Sequence, residues 1–273
     1  MSAIRSIILC FFIILITRAA SGQPWYFNEL YNPNNTWAGG LSVIGTDDGY
    51  FGCAISSDSV SGYFYNTCTF LLNHEGEMVF WKNFGVHGYD WYPGTYGSLK
   101  SLEDNHYALF GSRRNLSIGK STGAFYLFDA EGDTVFTRTF ISETGNTLIG
   151  RTCAVSNCGG FALLGELSLG EYLTDLVLIK TDSLANETWR VQYDISNIDR
   201  PTSIIQTPDY GFALGGRSYI PGQQPSTQDP FVIKTDSMGN FEWSLNLGGP
   251  FKDDHAMLCN TPDSCIVALT AYA

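Results

Sequence analysis

Positive charge is scarce in this chain: 15 Lys and Arg stand against 27 Asp and Glu, a net charge of −12, and charged residues make up only 15% of the total. So acidic a balance argues against nucleic acid and anionic membrane as partners, both of which are held through cations. Histidine is sparse too. His74, His87, His106 and His255 show no metal-ligand spacing, and neither an HExxH nor a GxSxG sequence occurs, so the common zinc-protease and serine-hydrolase signatures are missing. A sustained 3.6-residue apolar period with caps is absent beyond the N-terminus, which removes long helices from the expected fold. No long apolar run follows residue 16.

The one such run, IILCFFIILI at 7–16, follows Arg5 and precedes the small-residue stretch AASG. It is about half of the roughly 20 residues that a membrane span needs. Residues 1–22 therefore read as a secretory signal peptide cleaved after Gly22, which predicts a secreted protein, extracellular or at the outer cell surface, with no membrane insertion after cleavage. Cleavage removes Arg5, Arg18 and Cys10; 15 cations less two leaves 13 against 27 carboxylates, a net −14, with six cysteines.

What is present is a repeat. Four segments align on a turn: NHEGEMVF (73–80), DAEGDTVF (129–136), DSLANETW (182–189) and DSMGNFEW (236–243), so that Phe80, Phe136, Trp189 and Trp243 recur at steps of 56, 53 and 54. A second phrase lies between them, anchored at Tyr50, Tyr107, Phe161, Phe212 and Ile266 with steps of 57, 54, 51 and 54. Each period holds four short strand signals, which in the third copy are GFALLGE, DLVLIKTD, ETWRVQY and PTSIIQT (strands a, b, c and d). Four strands per period of about 54 residues predict an all-β fold, a β-propeller of four-stranded antiparallel blades with at least four blades. The propeller domain is expected over 23–273: a partial blade at 23–46, repeats at 47–103, 104–156, 157–207 and 208–261, and a partial blade at 262–273. The last stretch, CIVALTAYA, reads as a strand a with nothing after it. The expected ring is therefore incomplete and the chain a fragment of a longer protein.

The repeated turn residues have a structural reading. An Asp or Asn three residues before Gly76, Gly132 and Gly239 sets an Asx-type turn, and each Gly supplies a positive φ. The aromatic four residues on, Phe80, Phe136 or Trp243, then falls on strand c, where a large ring fills the space between blades, as Trp189 does in the repeat with Ala185 at the turn.

Alternating strand directions place the a–b and c–d connections on one face. That face carries the long, unlike loops, where binding residues concentrate. The stretch GVHGYDWYPGTYG (85–97) supplies His87, Tyr89, Asp90, Trp91, Tyr92 and Tyr96, and the neighbouring a–b loop adds Tyr63 and Tyr65. Aromatics beside polar groups suit stacking on sugar rings or anchoring a protein partner, so an extracellular glycan or protein is the expected ligand.

Other chemical signals are weaker. GKST (119–122) lacks the earlier Gly of a phosphate loop, having Arg114 there. The adjacent pairs Asp47/Asp48 and Asp253/Asp254 do not make a catalytic pair, and no catalytic residue is assigned. No metal or other cofactor is expected, although calcium at an acidic turn stays open without EF-hand spacing. The six cysteines of the exported chain suggest local disulfides across hairpins and turns: Cys53–Cys68, Cys153–Cys158 and Cys259–Cys265.

The phrases IKTDSMGNFEW (233–243) and SIIQTPDYGFALGG (203–216) resemble the repeats of secreted bacterial β-propeller proteins that end in a type IX C-terminal sorting domain. Gly239–Trp243 is also similar to the tryptophan-docking motif of quinoprotein-type propellers, with a shorter Asp-to-Gly spacing. The resemblance implies export and surface sorting. The resulting functional expectation is a non-catalytic binding, adhesion or scaffold module. The alternative is an extracellular carbohydrate-active, glycanase-like enzyme or its accessory propeller.

Overall fold

The computed structural model describes residues 31, 38–57, 64–95, 97–219, 228–249 and 252–271. Residues 1–22, expected to form a signal peptide, and Tyr63 and Tyr96 lie outside these residues. The described chain is an all-β propeller of antiparallel sheets. The first sheet runs β1 (Ala38–Thr46), β2 (Gly49–Ser57), β3 (Tyr65–Leu72) and β4 (Met78–Phe84). In the second, β5 (Tyr89–Tyr92) and β6 (Leu99–Ser101) both pair with β7 (Tyr107–Asn115), followed by β8 (Ser121–Phe128) and β9 (Thr134–Phe140). The third comprises β10 (Leu148–Val155), β11 (Phe161–Gly170), β12 (Leu173–Thr181) and β13 (Glu187–Tyr193); the fourth, β14 (Ile198–Gln206), β15 (Phe212–Tyr219), β16 (Gln228–Thr235) and β17 (Phe241–Asn246). A final pair joins β18 (Met257–Asn260) to β19 (Ile266–Leu269). Among the described residues no strand pairing joins this last pair to the first sheet, so the ring is not closed.

Sheet and sequence period are offset by one strand. The strand that ends each sequence period pairs with strand a of the next, as β14 does with β15 in the register Gln206↔Phe212. Ala38–Thr46, placed in a partial blade by its sequence, is accordingly the first strand of a complete sheet. The first strands touch one another in succession, β1 against β6, β6 against β10, β10 against β14 and β14 against β18. They form the inner side of the propeller.

The core lies between sheets. One cluster joins Phe51 and Cys53 of the first sheet to Tyr107, Leu109, Tyr126 and Phe128 of the second. Another joins Phe110, Phe125 and Phe140 to Phe161, Leu163 and Ile179 of the third. The repeated aromatics complete these interfaces. A Cβ built on Gly132 would lie 2.5 Å from the Phe80 ring of the preceding blade, and one on Gly239 would meet the Trp189 ring in the same way. The turns have the expected chemistry: Asp182 Oδ1 accepts the Leu184 and Asn186 amides, Asp236 repeats this with Met238 and Asn240, and Gly76, Gly132 and Gly239 take φ of 85, 76 and 81°.

The six described cysteines are free, and the register explains why. Cys68 faces Ala54 and Cys53 faces Thr69, so the two thiols point to opposite faces of one sheet. Cys153 faces Leu163 and is buried against Ser98, whereas Cys158 sits in the exposed turn beyond. Cys259 faces Val267, two residues past Cys265, a diagonal separation too long for a disulfide.

Candidate functional site

The predicted aromatic patch is half strand. Tyr89–Tyr92 forms β5, because alternating aromatic residues favour a pleated, half-buried surface. Alternation then sends its side chains different ways. Asp90 is buried and accepts the Tyr65 amide at 3.1 Å and the Tyr92 hydroxyl at 3.4 Å, while the Tyr65 and Tyr92 rings lie 5.7 Å apart. Burial, and then the Asp90 charge, push the Tyr92 hydroxyl upward in pKa. On the other side, the Arg113 guanidinium lies 4.6 Å from the Tyr89 ring and 5.6 Å from the Trp91 ring, and Trp91 packs on Tyr126. His87 is exposed, 5.3 Å from Phe64. The residues do meet, but mainly by packing one sheet on the next.

A different set converges at the inner side. The inner strands carry bulges at similar heights: pairing skips Leu41 in β1, Arg151 in β10 and Thr202 in β14, and the second sheet breaks between β5 and β6. Bulges re-aim side chains and often border functional sites. A small residue of strand a makes room for them. A Cβ on Gly111 would come within 1.9 Å of the Tyr92 carbonyl oxygen, and one on Gly216 within 2.5 Å of the Arg200 carbonyl oxygen. Across the bulges, the Thr95 amide and hydroxyl both donate to the Arg151 carbonyl, at 2.7 and 3.0 Å, and the Thr202 hydroxyl donates to the Ala256 carbonyl.

These segments border a half-open cavity of about 190 Å³ lined by Thr95, Arg151, Arg200, Pro201, Thr202, Arg217, His255 and Met257. In an acidic protein, three arginines and a histidine face one space. Arg151 pairs with buried Glu166 at 2.6 Å, and Arg217 pairs with Asp254 at 3.2 Å. His255 Nδ1 lies 2.7 Å from Asp254 Oδ1. Burial pushes the Asp254 carboxyl up, but the His255 amide and the charges of His255 and Arg217 outweigh it and hold it below its ordinary value.

A second polar cluster lies where the c–d connection meets the next blade. Asp175, Asp194 and Asp199 each bring a carboxylate oxygen within 4.8 Å of the others, the one such group of potential metal ligands among the described residues. Asp199 Oδ2 accepts the Ile195 and Ser196 amides, and Gln192 donates to Asp175 at 2.5 Å. Burial raises both carboxyls, Asp199 to about 7. With two of three members already engaged, the cluster offers a cation few of the six to eight oxygens that calcium takes. The turn at Asp47 and Asp48 is not part of any such group.

No protein-family model matches the chain, and no curated protein matches it in sequence. Solved structures do share its architecture. The chain is similar to the endo-arabinase from Bacteroides thetaiotaomicron VPI-5482, with a TM-score of 0.50 and 11% identity over 87% of this chain and 89% of that one. At that identity the likeness establishes the fold alone. The expectation of a non-catalytic binding module is corrected by this comparison, since the neighbour is an endo-arabinase and so favours the carbohydrate-active alternative.

The sequence did not point to Arg151, Arg200, Arg217 or His255. Asp254 and His255 were visible only as an adjacent carboxylate and an isolated histidine. The available signal was an arginine within an otherwise apolar inner strand, in TSIIQT preceded by DRP and in TCAV preceded by GR.

Proposed function

We propose that the chain is an extracellular carbohydrate-active enzyme of the glycanase type, with its substrate bound in the cavity at the inner side of the propeller. The observation that carries this reading is the His255–Asp254 pair on that cavity. With Nδ1 held by Asp254, Nε2 is the ring nitrogen left for a substrate. A carboxylate that holds one ring nitrogen and so orients a histidine is a usual arrangement for general acid–base work. Arg151 and Arg217 line the same cavity and offer donors to substrate oxygens. The comparison with an endo-arabinase supports a saccharide substrate. The leader at residues 1–22 supports export, and the repeat resemblance supports sorting to the outer cell surface. Among the described residues no helix is long and apolar enough to cross a membrane.

The test is release of new reducing ends by the chain starting at Gln23, across a panel of neutral and acidic polysaccharides that includes arabinan. Loss of an acid–base group costs about 10²–10⁴ in rate, so His255→Ala should lower release at least about 100-fold while leaving the melting temperature in place. No release from any polysaccharide, or full activity in His255→Ala, overturns the reading.

A further inference from the structure

Arg200 and Arg217 occupy directly opposed positions on β14 and β15. Opposed residues on an antiparallel pair project on the same face a few ångströms apart, and like charges there are destabilising. Arg217 has a counter-charge in Asp254 at 3.2 Å. Arg200 has none among the described residues. Its side chain makes one ring contact, 5.9 Å from Tyr219, and its buried Nε lacks a hydrogen-bond partner. A guanidinium with an orphaned, buried N–H is costly unless something supplies an acceptor.

Both arginines line the same cavity as Arg151 and His255. Around it stand three guanidiniums against two carboxylates, Glu166 and Asp254, so the space keeps an uncompensated positive charge within a protein of net charge −12. A guanidinium fork matches a carboxylate or a tetrahedral oxyanion in two-point fashion. At about 190 Å³ the cavity has room for about one sugar ring. Thr95 and Thr202 add hydroxyls to its wall.

We infer that the cavity takes a sugar residue bearing an anionic group, a uronate carboxylate or a sulfate ester, with Arg200 as its principal counter-ion. This rests on the carbohydrate reading above and narrows it to acidic glycans. The anion gives the Arg200 guanidinium the counter-charge it lacks and relieves the repulsion between Arg200 and Arg217. Arg200 is thus a specificity-determining residue, one that the acid–base role of His255 does not require.

Calorimetric titration of the chain from Gln23 tests this with four probes: trigalacturonate, a sulfated galactose disaccharide, arabinotriose and galactotriose. The acidic probes should bind at least about tenfold more tightly than the neutral ones. Binding by the carboxylated probe assigns the site to uronates, and binding by the sulfated probe assigns it to sulfate esters. Arg200→Gln should abolish the preference, and Arg200→Lys should keep part of it. Equal affinity for acidic and neutral probes overturns the inference, as does an unchanged preference in Arg200→Gln with the wild-type melting temperature. Cleavage of neutral polysaccharides alone would leave the enzymatic reading standing and sink this one. Acidic binding that depends on Arg200, with no cleavage of any polysaccharide, would uphold the anion site and sink the enzymatic reading.

Discussion

The Trp189 ring of the third blade lies directly against the Gly239 turn of the fourth, so that a Cβ on Gly239 would sit 2.8 Å from Trp189 Cζ3. One blade interface earlier, Phe136 packs against the core cluster that contains buried Ala185 of the next turn. Gly239→Ala should cost about 1–3 kcal/mol through overpacking and positive φ. Trp189→Phe should recover about 0.5–1.5 kcal/mol of that loss, the scale of coupling between touching residues. Urea unfolding of the two single variants and the double variant gives the coupling directly. Strictly additive losses would mean that the ring does not dock on the turn.

The inner strands depend on a second close approach. Gly111 admits the Tyr92 carbonyl within a distance that no side chain tolerates, whereas a Cβ on Gly170 meets nothing within 4 Å. Gly111→Ala should cost more than about 2 kcal/mol and weaken any ligand of the cavity, and Gly170→Ala should stay within about 0.5 kcal/mol. Similar thermal midpoints for the two variants would contradict the bulged inner strand as drawn.

Thiol chemistry separates the cysteines into two groups. Cys53, Cys68 and Cys153 are fully buried, and burial pushes them up to about 12, 11 and 11. Cys158, Cys259 and Cys265 are exposed. A disulfide reagent at pH 8 should therefore titrate three thiols in the folded chain and six in denaturant, since the thiolate is the reactive form. No reactive thiol under either condition would restore the three disulfides suggested by the sequence.

Asp199 sets a pH dependence of known sign. Its folded value of about 7 lies above the ordinary aspartate near 3.9, so the folded chain binds a proton that the unfolded chain releases. The stability carried by that proton is fully present below about pH 4 and lost as pH rises through about 7. Wild type should lose denaturant resistance relative to Asp199→Asn between pH 4.5 and 7.5. Parallel curves for the two proteins over that range would show that Asp199 is not protonated in the fold.

The fold was legible because it is written four times. A marker aromatic every 51 to 57 residues, with turn chemistry at fixed offsets, specifies a blade without reference to any partner segment. Which strand joins which sheet was less legible, because the offset of one strand is settled by pairing across the repeat boundary. The candidate site was harder still. Tyr89, Asp90, Trp91 and Tyr92 stand out as neighbours in sequence, yet alternation on β5 divides them between packing surfaces. Arg151, Arg200, Arg217 and His255 lie on β10, β14, β15 and the approach to β18. Only the curvature of successive sheets around one axis brings them together.

The central claim is that a saccharide is processed in the inner cavity, and Met257→Trp tests it most directly. Met257 lines that cavity and supplies no hydrogen bond there, so an indole would fill the space without removing a polar partner. The measurement is release of reducing ends, by wild type and variant, from the polysaccharide that wild type cleaves fastest. The account predicts at least a 100-fold loss, about 2.7 kcal/mol in transition-state binding, at an unchanged melting temperature. Undiminished release from the filled propeller would contradict it and move the site elsewhere on the molecule.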